Sequence, residues 1–253
     1  MDNTTDMPIT EQVPPMNFIQ RLWGMVFEPG KTFLDIQRKS TWLGIFILIS
    51  LLSVAVQYSI TSRIPREVRI IKGLEASPIQ ISEKQKEELL NRPPSAWESY
   101  APLFTPVFTL IMFLILAGIF LLAFMVAGAS LDYKKALSVS FWAMAPPSIV
   151  NSLLSILLIY LKDPVTLNVD PAKNLVSNLG PLVDDRAHPA LASLLGSIDV
   201  FSIWAIFLLA IGFATIGNTS IKKSAGVILI LWAIYILRKL GVYALIGGFS
   251  RLA

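Results

Sequence analysis

Long apolar runs alternate along this chain with short polar or charged stretches, and the runs are as long as helices that cross a membrane. A hydrocarbon layer of about 30 Å takes roughly 20 apolar residues per helix. Five runs meet that length, over 42–60, 103–128, 137–161, 198–217 and 224–247. The second is long enough to cross with tilt. The third carries Pro146 and Pro147 in its middle; each proline removes a backbone donor and crowds the preceding turn, so a kink is expected there. Ahead of the first run, NFIQRLWGMVFE over 17–28 has helical periodicity. Phe18, Ile19, Leu22, Trp23, Met25, Val26 and Phe27 take one half, and Asn17, Gln20, Arg21, Gly24 and Glu28 the other. Pro29-Gly30 is expected to end this helix. Phe18, Leu22, Trp23 and Val26 then lie in the membrane interface, or the same face packs on the chain's own spans.

The pattern predicts an all-α membrane protein, a five-span transmembrane helix bundle with an N-terminal amphipathic interfacial helix. Residues 1–15 read as a disordered tail, 16–40 as the interfacial segment and 41–253 as the transmembrane domain. In the connection over 62–101, SEKQKEELLNR reads as a solvated helix with capping-box spacing between Ser82 and Gln85. The connection over 162–197 is irregular before a short helix at PALASLLG.

Helical projection gathers polar and small residues on particular faces: Ser50, Ser53, Gln57 and Thr61 on the first span; Ser138, Ala145, Ser148, Asn151, Ser152 and Ser155 on the third; Asp199, Ser202, Ala205 and Gly212 on the fourth. Such faces let helices approach closely and hydrogen-bond across the interface. They read as packing seams, or as the lining of a polar cavity. The pairs Ala123/Ala127, Ala210/Ala214 and Ala244/Gly248 suit contacts within a chain or between copies in a homo-oligomer.

Arg238 and Lys239 stand inside the fifth apolar run. At about 1.5 Å per residue, Arg238 is about 21 Å beyond Ser224, near the far membrane face. Both side chains then snorkel to the headgroups, or the helix ends at Leu237 and the tail lies along the interface. A third reading turns Arg238 towards Asp199 and Ser202 at the start of the fourth span and leaves Lys239 to snorkel, since adjacent helical residues point about 100° apart.

Composition confirms the solvent. Hydrophobic residues make up 54% of the 253-residue chain and charged ones 15%, with mean hydropathy +0.64. Soluble domains carry about 25% charged residues. The net charge of +4 is scattered along the chain, which argues for membrane-flanking cations and against a nucleic-acid partner. The absence of cysteine excludes disulfides and thiolate metal sites. Asp185 and the single histidine, His188, are three apart, but one histidine without convergent ligands makes a poor site, so no metal is expected. The sequence contains no HExxH, GxSxG, P-loop or dinucleotide glycine pattern, and no enzyme or cofactor is expected.

Several stretches resemble the Yip (Ypt-interacting protein) domain family, its bacterial branch in particular. FEPGKTFLDIQRKSTWLGIFIL over 27–48 is similar to the family's entry into the first span, YKKALSVSFWAMAPPSIV over 133–150 to the entry into the third, and SIDVFSIWAIFLLAIGFA over 197–214 to the opening of the fourth. The resemblance runs from about Met16 onward. Eukaryotic members are associated with Rab-type GTPases and vesicle traffic and carry an Asp-Leu-Tyr-Gly-Pro motif; here STWLGIF keeps only the glycine, Gly44. The resemblance implies a non-enzymatic protein of a bacterial cytoplasmic membrane that organises or shapes membrane or holds unidentified protein partners. The alternative is a small-solute or ion transporter using the polar seams. Family relatives have a cytoplasmic N-terminus. That placement puts Arg21, Lys31, Arg38, Lys39, Lys134, Lys135, Lys222 and Lys223 inside, whereas Arg63, Arg66, Arg69, Lys72, Lys84, Lys86 and Arg92 of the first connection count the other way.

Overall fold

A computed structural model describes residues 14–76, 81–95, 98, 100–169, 174–175, 177–183 and 188–249, with the helix path alone over 242–249. Most of the tail over 1–15 lies outside the described residues. Among the described residues the regular structure is helical, apart from an isolated bridge between Asn178 and Asp199.

Two short helices come first, α1 (Phe18–Phe27) and α2 (Pro29–Arg38). The expected helix is present as α1, and a second helix, α2, follows it to make the segment a helical hairpin. Asn17 and Gln20 form a capping box at the start of α1. α1 does stop just before Pro29, as expected, and Pro29 also occupies the first turn of α2, where its missing donor costs no hydrogen bond. Gly24 and Thr32 make the hairpin tight, because a Cβ on Gly24 would meet the Thr32 Oγ1 at 2.2 Å.

The long helices follow: α3 (Leu43–Arg63), α6 (Thr105–Val126), α7 (Tyr133–Leu161), α9 (Val200–Ile216) and α10 (Ile221–Phe249). Four apolar helical stretches are long enough to cross a membrane, Leu43–Arg63, Ala101–Val126, Tyr133–Leu161 and Ile221–Gly241. The second includes a 3-10 turn, Ala101–Phe104, that leads into α6. α9 is a shorter apolar helix of 17 residues. α7 is unbroken through Pro146 and Pro147, which leave the Trp142 and Ala143 carbonyls without their helical donors. It is the central helix. Ala136 through Ala143 are all buried, as expected of a helix surrounded by protein. α3, α6 and α9 pack around it.

Lipid offers apolar side chains no hydrophobic incentive to leave it, so close packing must hold the spans together. Aromatic rings supply much of it: Phe113 stacks on Phe141 with centroids 4.0 Å apart, and Phe124 on Phe213 at 4.5 Å.

The two long connections meet at the end of the bundle opposite the hairpin. They contain α4 (Arg66–Ala76), which the sequence reading missed, α5 (Glu83–Asn91), which has the expected Ser82/Gln85 box, and α8 (Pro189–Leu195), where the short helix was expected. Val56, Ile60, Ile64, Ile159 and Leu167 form a second apolar cluster there. The Lys72 Nζ donates to the Val165 and Leu167 carbonyls, at 2.6 and 2.5 Å. The Arg69 Nη1 donates to the Thr61 carbonyl at 2.6 Å, and Arg66 pairs with Glu98. The hydrogen bond from Arg66 holds the Glu98 carboxyl below the ordinary carboxylate range, and the same bond raises the Arg66 guanidinium.

Candidate functional site

Three polar constellations stand out, and the first is buried in the N-terminal hairpin. Arg21 and Asp35 retain only 3% and 7% of their exposure. The Arg21 Nε donates to the Asp35 Oδ2 at 2.7 Å, its Nη1 to the Thr41 Oγ1 at 2.5 Å and its Nη2 to the Lys39 carbonyl at 3.1 Å. The Met16 amide donates to the other Asp35 oxygen at 3.1 Å. The Trp142 Nε1 donates to the Thr41 carbonyl at 2.6 Å, and the guanidinium lies 5.9 Å from the centroid of the same indole. One ion pair and its hydrogen bonds thus join α1, α2, the entry to α3 and the first half of α7. Buried charges are tolerated only when paired and hydrogen-bonded in this way.

This clamp fixes which way α1 faces. Met25, one turn after Arg21, is buried with it, and Phe18 packs on Trp142 at 5.6 Å. Phe18 also covers Gly44, where a Cβ would come within 3.2 Å of its ring. Leu22 is half-buried against the core. Ile19, Val26, Trp23 and Phe27 point outward, the last two 64% and 71% exposed. Of the four residues expected at the membrane interface, Trp23 and Val26 are on this outer face, while Phe18 and Leu22 serve the contact with the bundle. α2 inserts Phe33 against Gly212 of α9, and the Gln37 Nε2 donates to the Thr215 carbonyl at 3.2 Å.

The second constellation is a cleft of about 370 Å³ between α3, α6, α7 and α9. Ser53, Ser148, Asn151, Ser152 and Ser202 line it, so the polar faces of three helices converge. Thr109 of α6 joins them, and Pro147 forms part of the wall. Gln57, one turn beyond Ser53, is not in the lining.

The third lies where α9 and α10 meet the second connection. α10 continues through Arg238 and Lys239, which overturns the reading that it ends at Leu237. Asp199 caps α9, accepting hydrogen bonds from the Phe201 and Ser202 amides and from the Ser202 hydroxyl. Among the described residues it forms no ion pair with Arg238, whose guanidinium sits over the Tyr235 ring, 5.9 Å from the centroid. The expected roles are reversed. Lys239 is half-buried and its Nζ donates to the Ser197 Oγ at 3.4 Å, while Arg238 is exposed. The reason is rotational: the packing of α10 on α8 sets which side of the helix faces inward.

Among the described residues no three His, Cys, Asp or Glu side chains converge on a metal-sized site, and Asp185 lies outside them.

The model of the Yip1 domain matches residues 23–238, most of the chain. The chain belongs to the Yip1 domain family. The "Membrane protein YknW" of Bacillus subtilis (strain 168) is 36% identical over 135 residues, 51% of this chain and 50% of that protein. The match thus spans about half of that relative. No solved structure matches. Together with the apolar helices, these likenesses make this Yip1 domain protein a multi-pass integral membrane protein. The matched stretch contains the cleft, Asp35 and Trp142, whereas Arg21 precedes it. The sequence pattern puts Arg21 on the polar half of the N-terminal helix and gives Asp35 no role. The available signal was the spacing of Arg21 and Met25, which puts both on one side of a helix.

Proposed function

We propose that this Yip1 domain protein is a non-enzymatic membrane organiser or adaptor, with five spans and its N-terminus in the cytoplasm of a bacterial cell. The observation that carries the reading is the outward apolar face of the clamped hairpin. Trp23 and Phe27 stack 5.8 Å apart on a helix that a buried ion pair locks to the bundle. Around the same end Lys31, Arg38, Lys39, Lys134, Lys222 and Lys223 are exposed. An aromatic wedge ringed by cations suits an anionic leaflet or an amphipathic partner at the membrane surface. Five crossings put the hairpin and the two short turns on one side and both long connections on the other. α9, at about 1.5 Å per residue, is about 25 Å long and spans where the bilayer thins locally.

The cleft favours a second reading, a small transporter. Its lining is uncharged, which suits a binding pocket better than an ion path. Purified protein in liposomes separates the two. An organiser carries no ion or solute flux above protein-free vesicles, while a photo-crosslinker at Trp23 in living cells captures lipid or a protein neighbour. Flux that disappears in Asn151→Leu would establish the transporter instead.

A further inference from the structure

The cleft also has a chemistry of its own, independent of the organiser reading. Hydroxyls inside membrane helices usually donate back to a carbonyl of their own helix, and Ser59, Thr61, Ser140 and Thr215 do so here. Ser53, Thr109, Ser148 and Ser152 do not; nor do the buried Ser50, Ser138, Ser155 and Ser224, but those lie outside the cleft. The Asn151 carboxamide in the cleft likewise makes no hydrogen bond to the protein among the described residues. Donors and acceptors at membrane depth are therefore left facing a common space. The Ser202 hydroxyl donates to Asp199, so its oxygen is presented as an acceptor.

Most of the polar lining gathers towards one end of the cleft, with Ser53 and Ser148 alone among the polar residues at mid-helix. Thr109 and Ser202 are in the first two turns of α6 and α9, and Asn151 and Ser152 are in the second half of α7, all towards the end that carries the long connections. Ile49, Leu52, Phe113 and Met144 lie deeper, towards the middle of their helices. A free polar solute gains nothing from that deeper apolar wall, whereas an amphiphile fits both halves at once. No lining side chain carries a charge, and the ionisable group bonded to the lining residue Ser202 is an acid, Asp199. A phosphate headgroup there would find no cation, and burying an unpaired charge is costly.

We infer that this cleft binds an uncharged, hydroxyl-bearing glycerolipid of the diacylglycerol class, with its hydroxyl among Thr109, Asn151, Ser152 and Ser202 and its chains against Ile49, Leu52 and Phe113. The full chain reconstituted in phosphatidylcholine vesicles with a diazirine-bearing diacylglycerol tests this. Adducts should map to the cleft segments of α3, α6 and α7. Unlabelled diacylglycerol should displace them, but phosphatidylglycerol and free glycerol should not. Asn151→Leu and Thr109→Val should each lower labelling about fivefold, the equivalent of one lost hydrogen bond, with an unchanged melting temperature. Should either variant fail to fold, competition on the unaltered protein decides. Adducts spread evenly over lipid-facing positions such as Val107 and Ile230, or displaced equally by phosphatidylglycerol, would overturn the proposal. Displacement by free glycerol would overturn it in favour of a soluble polyol.

Discussion

At the residue scale, the strongest commitment in the chain is the pair Arg21–Asp35. Removing one member of a buried ion pair strands the other, at about 3–5 kcal/mol. Asp35→Leu and Arg21→Met are each expected to destabilise the protein by about 3 kcal/mol in detergent, while the double variant loses clearly less than the sum because no charge is left unpaired. Equal losses in a thermal-unfolding cycle would show that water reaches the pair. The other charged cluster behaves in the opposite way. Asp199→Leu removes a helix cap worth about 1 kcal/mol, and Arg238→Leu an exposed cation–π contact worth about 0.5–1 kcal/mol. The same measurement on these two and their double variant should return the simple sum, since Asp199 is occupied by its own helix. Counting residues places Arg238 far along the last helix, and α10 does run through it. Sequence did not make legible which of Arg238 and Lys239 faces inward, because a neighbouring helix sets that rotation.

At the scale of elements, the spans were readable because an apolar run of about 20 residues has few uses outside a bilayer. The polar faces were readable for a similar reason: small and hydroxyl residues at helical spacing stand out against aliphatic neighbours, and Ser53, Ser148, Asn151, Ser152 and Ser202 do line one cleft. The hairpin was not. Apolar residues fill both faces of α1, so periodicity could not tell the side buried with Met25 from the side exposing Trp23 and Phe27. α2 was hidden because Pro29-Gly30 reads as a stop and also serves as a start. The contact that seats α2 depends on a missing side chain. A Cβ on Gly212 would come within 2.7 Å of both Phe33 and Val139, which are fully buried. Gly212→Ala should therefore cost about 1–3 kcal/mol by overpacking, despite the better helix propensity of alanine. Phe33→Leu in the same chain should recover part of that loss, as read from melting temperatures. A Gly212→Ala protein as stable as the original would mean that α2 is not seated on α9 as described.

At the scale of the whole molecule, the bundle has two unlike ends, and their difference bears on the charge count that sequence left in conflict. The cations of the first connection have structural work at their own end. Arg66 is paired with Glu98, Arg69 and Lys72 cap carbonyls, and Arg63 lies 5.5 Å from the Tyr160 ring. Lys134, Lys222 and Lys223, beside the hairpin, are exposed in short turns, where the positive-inside rule has most force. Weighting the charges in this way supports the proposed cytoplasmic hairpin end. The chain has no native cysteine, so single substitutions test it directly. Ser82→Cys and Leu182→Cys should react with an impermeant maleimide added to intact cells, because both positions are exposed and belong to the long connections. Ser220→Cys, in the exposed turn before α10, should react only after the membrane is opened; Ser224 is unsuitable because it is fully buried. Labelling of Ser220→Cys alone in intact cells would invert the molecule and place the hairpin outside. Labelling of both Ser82→Cys and Ser220→Cys would mean that the chain between them crosses an even number of times, and α9 would then be the helix that fails to span.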